Sequence, residues 1–238
     1  MRHRLLIASL SLLTPAFAAE PVDPAEEMFT VQFVVLKDGP NREKLAEEVV
    51  EQRQGEHLEG LEALMRSGQA LIVGPVEGDD TWRGIAVIDV DTKEKAIALF
   101  ANDPWIKSGH LVVESRPWYV AKKVLRPLKG QFTDLESCVL GLLERPENAP
   151  QLSPEQSKQV QAGHMQNIHA MAESGDLAVA GPFVEDTPLR GIFVFRTTDR
   201  ARVESLVARD AAVQAGRLKV RFMTWWVSKG VLPPAPQH

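Results

Sequence analysis

Two histidines and two aspartates are the residues of this chain best suited to moving protons, and they recur at one spacing. His57 opens the stretch "HLEGLEALMRSGQALIVGP", and His164 stands at the same place in a second, related stretch. Asp103 in "NDPW" and Asp210 in "RDAA" each follow their histidine by the same number of residues. Imidazole changes charge near neutral pH, and a carboxylate at one ring nitrogen fixes the tautomer and raises the basicity of the other. A His–Asp pair is thus the simplest general acid–base device available here. A structural reading stands beside it. Leu61 and Leu64 put His57 on the apolar face of a helix, as Ile168 and Met171 do for His164, where a histidine can be a packed, hydrogen-bonded core residue. Asp103, followed by Pro104, is also a good helix start, and capping explains Asp210 equally well.

The elements that would position these groups repeat. "SGQALIVGPVEGDDTWRGIAV" from Ser67 aligns with "SGDLAVAGPFVEDTPLRGIFV" from Ser174, an offset of 107 that holds without a gap. Gly74-Pro75 falls on Gly181-Pro182, Arg83-Gly84 on Arg190-Gly191, Gly109 on Gly216 and Trp118 on Trp225. The period is far too long for a solenoid, so each copy is the size of a small domain. In the first copy an apolar strand from Met28 ends at Asp38-Gly39-Pro40, and a helix to about Met65 follows with Asn41 as its cap. Gly68 stops that helix, and "ALIVGP" is a buried strand closed by a Gly-Pro turn. Next come the strand "WRGIAVIDV", a helix capped by Asp91 or Thr92, one helical turn at "DPWIKSG" and the strand "LVVESRPWYV". This β-α-β-β-α-β order is the ferredoxin-like arrangement, and the second copy gives it again. The class is therefore α+β. Two such units, at 29–120 and 134–228, are expected to pack their bare sheet faces together as an intrachain barrel. In that topology the loop after each second helix can approach the first helix, bringing Asp103 toward His57.

Other candidates are weaker. Arg83 and Arg190 begin strands beside glycines and could hold an anionic group, although a solvated arginine explains each alone. Trp105, two residues beyond Asp103, could wall a pocket. Cys138 lies in "CVLGLL" and reads as a core thiol. No metal signature, phosphate loop or Ser/Cys nucleophile motif is present, so the expected chemistry uses no metal and no cofactor.

The ends and the charge bound the setting. Arg2 and Arg4, the apolar run Leu5–Leu13 and Ala16-Phe17-Ala18 form a secretory signal at 1–18, which implies a periplasmic or secreted protein. Lys and Arg number 27 against 32 Asp and Glu, a formal charge of −5 that becomes −7 once Arg2 and Arg4 are removed. Such a surface argues against nucleic acid or anionic membrane as a partner. Nothing after the signal approaches the roughly 20 apolar residues of a membrane span. A linker is expected at 121–133 and a flexible, proline-rich tail at 229–238.

The stretch "HLEGLEALMRSGQALIVGP" with its His-Leu start and Gly-Pro close, and the Asp-Pro-x-x-x-x-Gly element of "ANDPWIKSGHL", together resemble the YCII-related family, over nearly all of 29–120 and more loosely over 134–228. The resemblance implies a dimeric α+β barrel fold. It also implies a His–Asp active site at His57 with Asp103, and at His164 with Asp210 where Asp-Pro has become Asp-Ala. It further implies kinship with small barrel enzymes that isomerise or dehydrohalogenate ring-derived acids and phenols. A cofactor-free acid–base enzyme acting on a small organic molecule is the expected function. The alternative is a non-catalytic module binding a small ligand or a protein, and either could assemble further as a homo-oligomer.

Overall fold

A computed structural model describes residues 28–121 and 127–236 of the chain. The expected signal segment, and residues 122–126 of the expected linker, lie outside the described residues. The first half runs β1 (Met28–Asp38), α1 (Glu47–Arg66), β2 (Ala70–Glu77), β3 (Trp82–Ile88), α2 (Lys93–Ala98), α3 (Pro104–Lys107) and β4 (Leu111–Ala121). The second runs β5 (Leu135–Glu144), α4 (Pro154–Glu173), β6 (Leu177–Pro182), β7 (Leu189–Phe195), α5 (Arg200–Val207), α6 (Ala211–Gln214) and β8 (Lys219–Ser228). The eight strands form one antiparallel sheet in the order β4-β1-β3-β2-β8-β5-β7-β6, so the fold is α+β.

The halves join by their strand edges. Val76 of β2 pairs with Trp225 of β8 at one seam. At the other, Trp118 of β4 bridges Phe183, and the Val184 N–H donates to the Pro117 carbonyl at 3.0 Å. The sheet thereby curls until its outer strands meet. Strand side chains alternate between faces. Phe33 points into the curl, where its ring lies 6.0 Å from Trp118 and 5.4 Å from Phe183. Leu36 and Asp38 take the opposite face, toward α1.

Two local expectations are corrected. Gly74-Pro75 and Gly181-Pro182 are not turns but lie within β2 and β6. A side chain at Gly74 would put its Cβ 1.7 Å from the Trp226 carbonyl oxygen, and one at Gly181 would lie 2.2 Å from that of Tyr119. Glycine there lets the neighbouring strand close the seam, and the proline, which has no N–H to give, sits where each edge strand begins its crossing. Asn41 does not cap α1, which starts six residues later after Ala46 with no side-chain cap. Asn41 instead donates through Nδ2 to the Ser108 carbonyl at 2.8 Å, tying the approach to α1 to the turn after α3.

Other features match the local reading. Gly68, Gly109, Gly175 and Gly216 all have positive φ, closing the helices as a left-handed stop requires. Thr92 caps α2 by accepting from the Lys95 N–H. The tail differs from a free one: Val231 and Leu232 are buried, and Arg196 donates to the carbonyls of Pro233 and Pro234.

The seam gives a direct test. Gly74→Ala is expected to destabilise the protein by at least about 2 kcal/mol, because the strand behind it is backbone and cannot yield cheaply. Gly55→Ala, where an added Cβ meets nothing within 4 Å in mid-helix, should stabilise by about 0.5–1 kcal/mol. Urea denaturation of the two variants compares them.

Candidate functional site

His57 projects from α1 toward the sheet and is 8% exposed. Its Nδ1 is hydrogen-bonded to Oδ2 of Asp103, the residue that caps α3. The second carboxylate oxygen, Oδ1, accepts from the backbone N–H groups of Trp105 at 2.9 Å and Ile106 at 3.3 Å. Capping and ring binding, alternatives at the level of sequence, are divided between two oxygens of one side chain. The second half repeats this. His164 Nδ1 meets Asp210 Oδ2 at 2.7 Å, while Asp210 Oδ1 accepts from Ala212 N–H at 2.9 Å and Val213 N–H at 3.3 Å. Asp210 is fully buried and has a further donor in Asn167, 3.5 Å from Oδ2, where the first half has Gly60.

An ionised carboxylate only accepts, so Nδ1 is the ring nitrogen that donates to it, and in the neutral form of each ring the lone pair then lies on Nε2. Neither Nε2 has a hydrogen-bond partner among the described residues, and both rings line cavities. The first cavity, of about 640 Å³, lies between α1 and the sheet. Leu36, Leu58, Leu61 and Ile85 make its apolar walls, with Trp105 at the side. The second, of about 620 Å³, takes His164, Leu143, Met165, Ile168 and Ile192 in the matching places, with Phe193 where the first has Ala86.

Arg83 and Arg190 each line their cavity, with different company. Asp38 takes Arg83 in a two-pronged ion pair at 2.7 and 2.6 Å. That guanidinium holds the Asp38 carboxyl below the usual carboxylate range against the opposing effect of burial, and Arg42 adds to it. The pair is therefore formed at neutral pH and weakens only as pH falls below that range. Arg190 instead shares Asp186 with Arg145. Trp105 walls the first cavity, its Nε1 donating to Gln54 at 3.2 Å and its ring edge-on to His110 at 5.6 Å. The second half has Ala212 at that place. Cys138 is buried, and desolvation pushes its thiol up to about 12, so it stays protonated at neutral pH and is a core residue.

Some lining residues had no sequence signal. Phe132, Thr133 and Leu135, from the expected linker and the start of β5, reach into the first cavity. Their contribution depends on chain closure between the halves. Arg145 and Arg217 of the second cavity did leave a trace, standing at the 107-residue offset from Asp38 and His110. Among the described residues no group of three or more His, Cys, Asp and Glu is placed to hold a metal ion, and no helix is long and apolar enough to cross a membrane.

Residues 31–119, which contain His57, Asp103 and nearly all of β1 to β4, match the family model of the YCII-related domain. That match covers the first half of the fold and does not extend to the second. The fold of the whole chain is shared with solved structures at low identity. A heme-binding protein from Thermus thermophilus is 12% identical over 84% of this chain and 92% of its own, with a TM-score of 0.50. A chlorite dismutase from Candidatus Nitrospira defluvii is 13% identical over 85% of this chain and 91% of its own, with a TM-score of 0.54. At such identities the likeness shows the fold alone. No curated protein sequence matches the chain. The matched stretch contains one of the two His–Asp pairs, and the same geometry recurs in the half beyond it.

The divided aspartate makes a testable distinction. Asp103→Ala removes the cap of α3 and the partner of His57, and is expected to cost at least about 1–2 kcal/mol. Asp103→Asn keeps an oxygen for the cap and should lose clearly less. Chemical denaturation of both variants measures the difference.

Proposed function

We propose that this chain is an exported, cofactor-free acid–base enzyme acting on a small organic molecule. Its two units, 29–120 and 134–228, would descend from one ancestral unit by duplication, joined by 121–133 and released from a signal at 1–18. The observation that carries the reading is the ring geometry. Nδ1 of His57 is held by Asp103 and the ring lines an apolar cavity large enough for a small ligand, which supports Nε2 as the base that meets it. A proton removed from bound substrate by Nε2 would make an imidazolium, which the Asp103 carboxylate stabilises across the ring. Returning that proton to a different atom gives isomerisation. Expelling a leaving group from the adjacent atom gives elimination. Either needs only the proton carrier and a wall that excludes water, and Trp105 with Leu58 and Leu61 offers that wall.

Support for two working centres comes from the matching geometry of His164 and Asp210. The gapless offset of 107 and the like element order of the halves support duplication.

The test follows the proton. Ligands found by thermal shift among small organic acids, phenols and lactones are incubated with the protein in D2O and followed by NMR. The proposal expects deuterium to enter one carbon position of a bound ligand, with His57→Ala lowering the rate by a factor of about 10² or more in protein that circular dichroism shows is still folded at the assay temperature. Saturable binding without exchange, surviving loss of both His57 and His164, would instead identify a non-catalytic binding module.

A further inference from the structure

The two cavities are close in volume and differ in charge. Four ionic residues line the first, Asp38, Arg42, Glu43 and Arg83, and they balance. The second is lined by Arg145, Arg190 and Arg217, and no acidic side chain lines it among the described residues. The change is at equivalent places: Asp38 becomes Arg145, His110 becomes Arg217, and Arg42-Glu43 becomes Ala149-Pro150.

Strand register gathers the three arginines. Arg145 follows β5 and lies on the same face as Leu143, which also lines the cavity. β5 pairs with β7 on one side, Leu143 opposite Gly191, next to Arg190. It pairs with β8 on the other, Glu144 opposite Lys219, two residues beyond Arg217. The nearby carboxylate is Asp186, whose side chain is 76% exposed and which is shared by Arg145 and Arg190. Arg217 donates one N–H to the Pro150 carbonyl at 2.6 Å, and the rest of its fork has no hydrogen-bond partner among the described residues. Deeper in, Phe193 stacks on His164 with centroids 6.1 Å apart, beside Ile168 and Ile192.

We propose that the second cavity binds a small organic anion, its carboxylate-type group held by Arg145, Arg190 and Arg217 and its apolar body lying against Phe193 and His164. The inference rests on the reading of the cavities as ligand sites and specifies the second one. A planar guanidinium pairs with a carboxylate through two parallel N–H bonds, whereas an amide of the same shape gains neither the charge nor the second acceptor. The first cavity, where Asp38 and Glu43 offset Arg42 and Arg83, makes no such demand.

Phenylacetate and phenylacetamide, alike in shape and different in charge, are suitable probes. The full-length protein labelled at methionine methyl carbons reports occupancy by NMR, because Met165 lines the second cavity while Met65 and Met223 are buried elsewhere and report folding. Phenylacetate is expected to shift Met165 with an affinity about tenfold or more above the amide, weakening as salt rises. Arg145→Asp with Arg217→His installs the first cavity's residues and should abolish that preference while leaving the Met65 and Met223 signals in place. Arg145→Ala alone should weaken the acid severalfold. Equal binding of acid and amide at Met165, or acid binding unchanged in both variants, overturns the anion assignment and leaves the cavity a ligand site. Absence of any shift with either probe overturns the assignment together with the view of this cavity as a site for small aromatic ligands.

Discussion

The arrangement depends on one carboxylate with two obligations. Asp103 must supply an acceptor for the open N–H groups at the start of a four-residue helix, which has almost no internal hydrogen bonds of its own. The remaining oxygen is thereby aimed, because the carboxylate plane is set by the cap. That oxygen faces α1, and the ring of His57 completes it. The orientation of the imidazole thus derives from backbone geometry rather than from a flexible side chain. This is how a functional group is held when its support is itself fixed. Asp210 does the same in the second half, fully buried and with Asn167 added.

Everything else serves to bring a helix and a distant loop to the same place. α1 and α3 are separated by two strands and a helix, and they meet only because β1 lies between β3 and β4 in the sheet. The curl of that sheet depends in turn on the seams, where Gly74 and Gly181 admit the backbone of the facing strand. The fully buried Trp118 and Trp225 fill these seams from inside. The cavities lie on the outer face of the sheet, under the helices, so the packing that closes the barrel and the space that could hold a ligand do not compete.

Much of this was legible in the sequence. Element order followed from apolar periodicity and from glycine stops that the structure places at positive φ. The pairing of His57 with Asp103 could be suspected from a recurrence at one offset, since the same two residue types were kept at both ends of the same intervening elements. The errors came from local chemistry overridden by tertiary contact. Gly-Pro has strong turn character, yet Gly74-Pro75 stays in the strand because a neighbouring strand needs the space. Asn41 looked like a cap because it precedes an amphipathic run, yet its amide is drawn to the Ser108 carbonyl. The proline-rich tail looked free, but Arg196 gathers its carbonyls. Phe132 could not be assigned to the cavity because nothing local says where a linker will lie.

The central claim is that each aspartate fixes its histidine with Nδ1 protonated and Nε2 bearing the lone pair toward the cavity. Nitrogen-15 NMR of the histidine side chains at mildly alkaline pH measures this directly, with His57 and His164 assigned by single substitution. The account requires a pyrrole-type, proton-bearing Nδ1 and a pyridine-type Nε2 in both residues, with Asp103→Asn changing the pattern at His57 alone. A proton resident on Nε2 of His57 in the unmodified protein, or the rapidly exchanging mixture of a free imidazole, would contradict it.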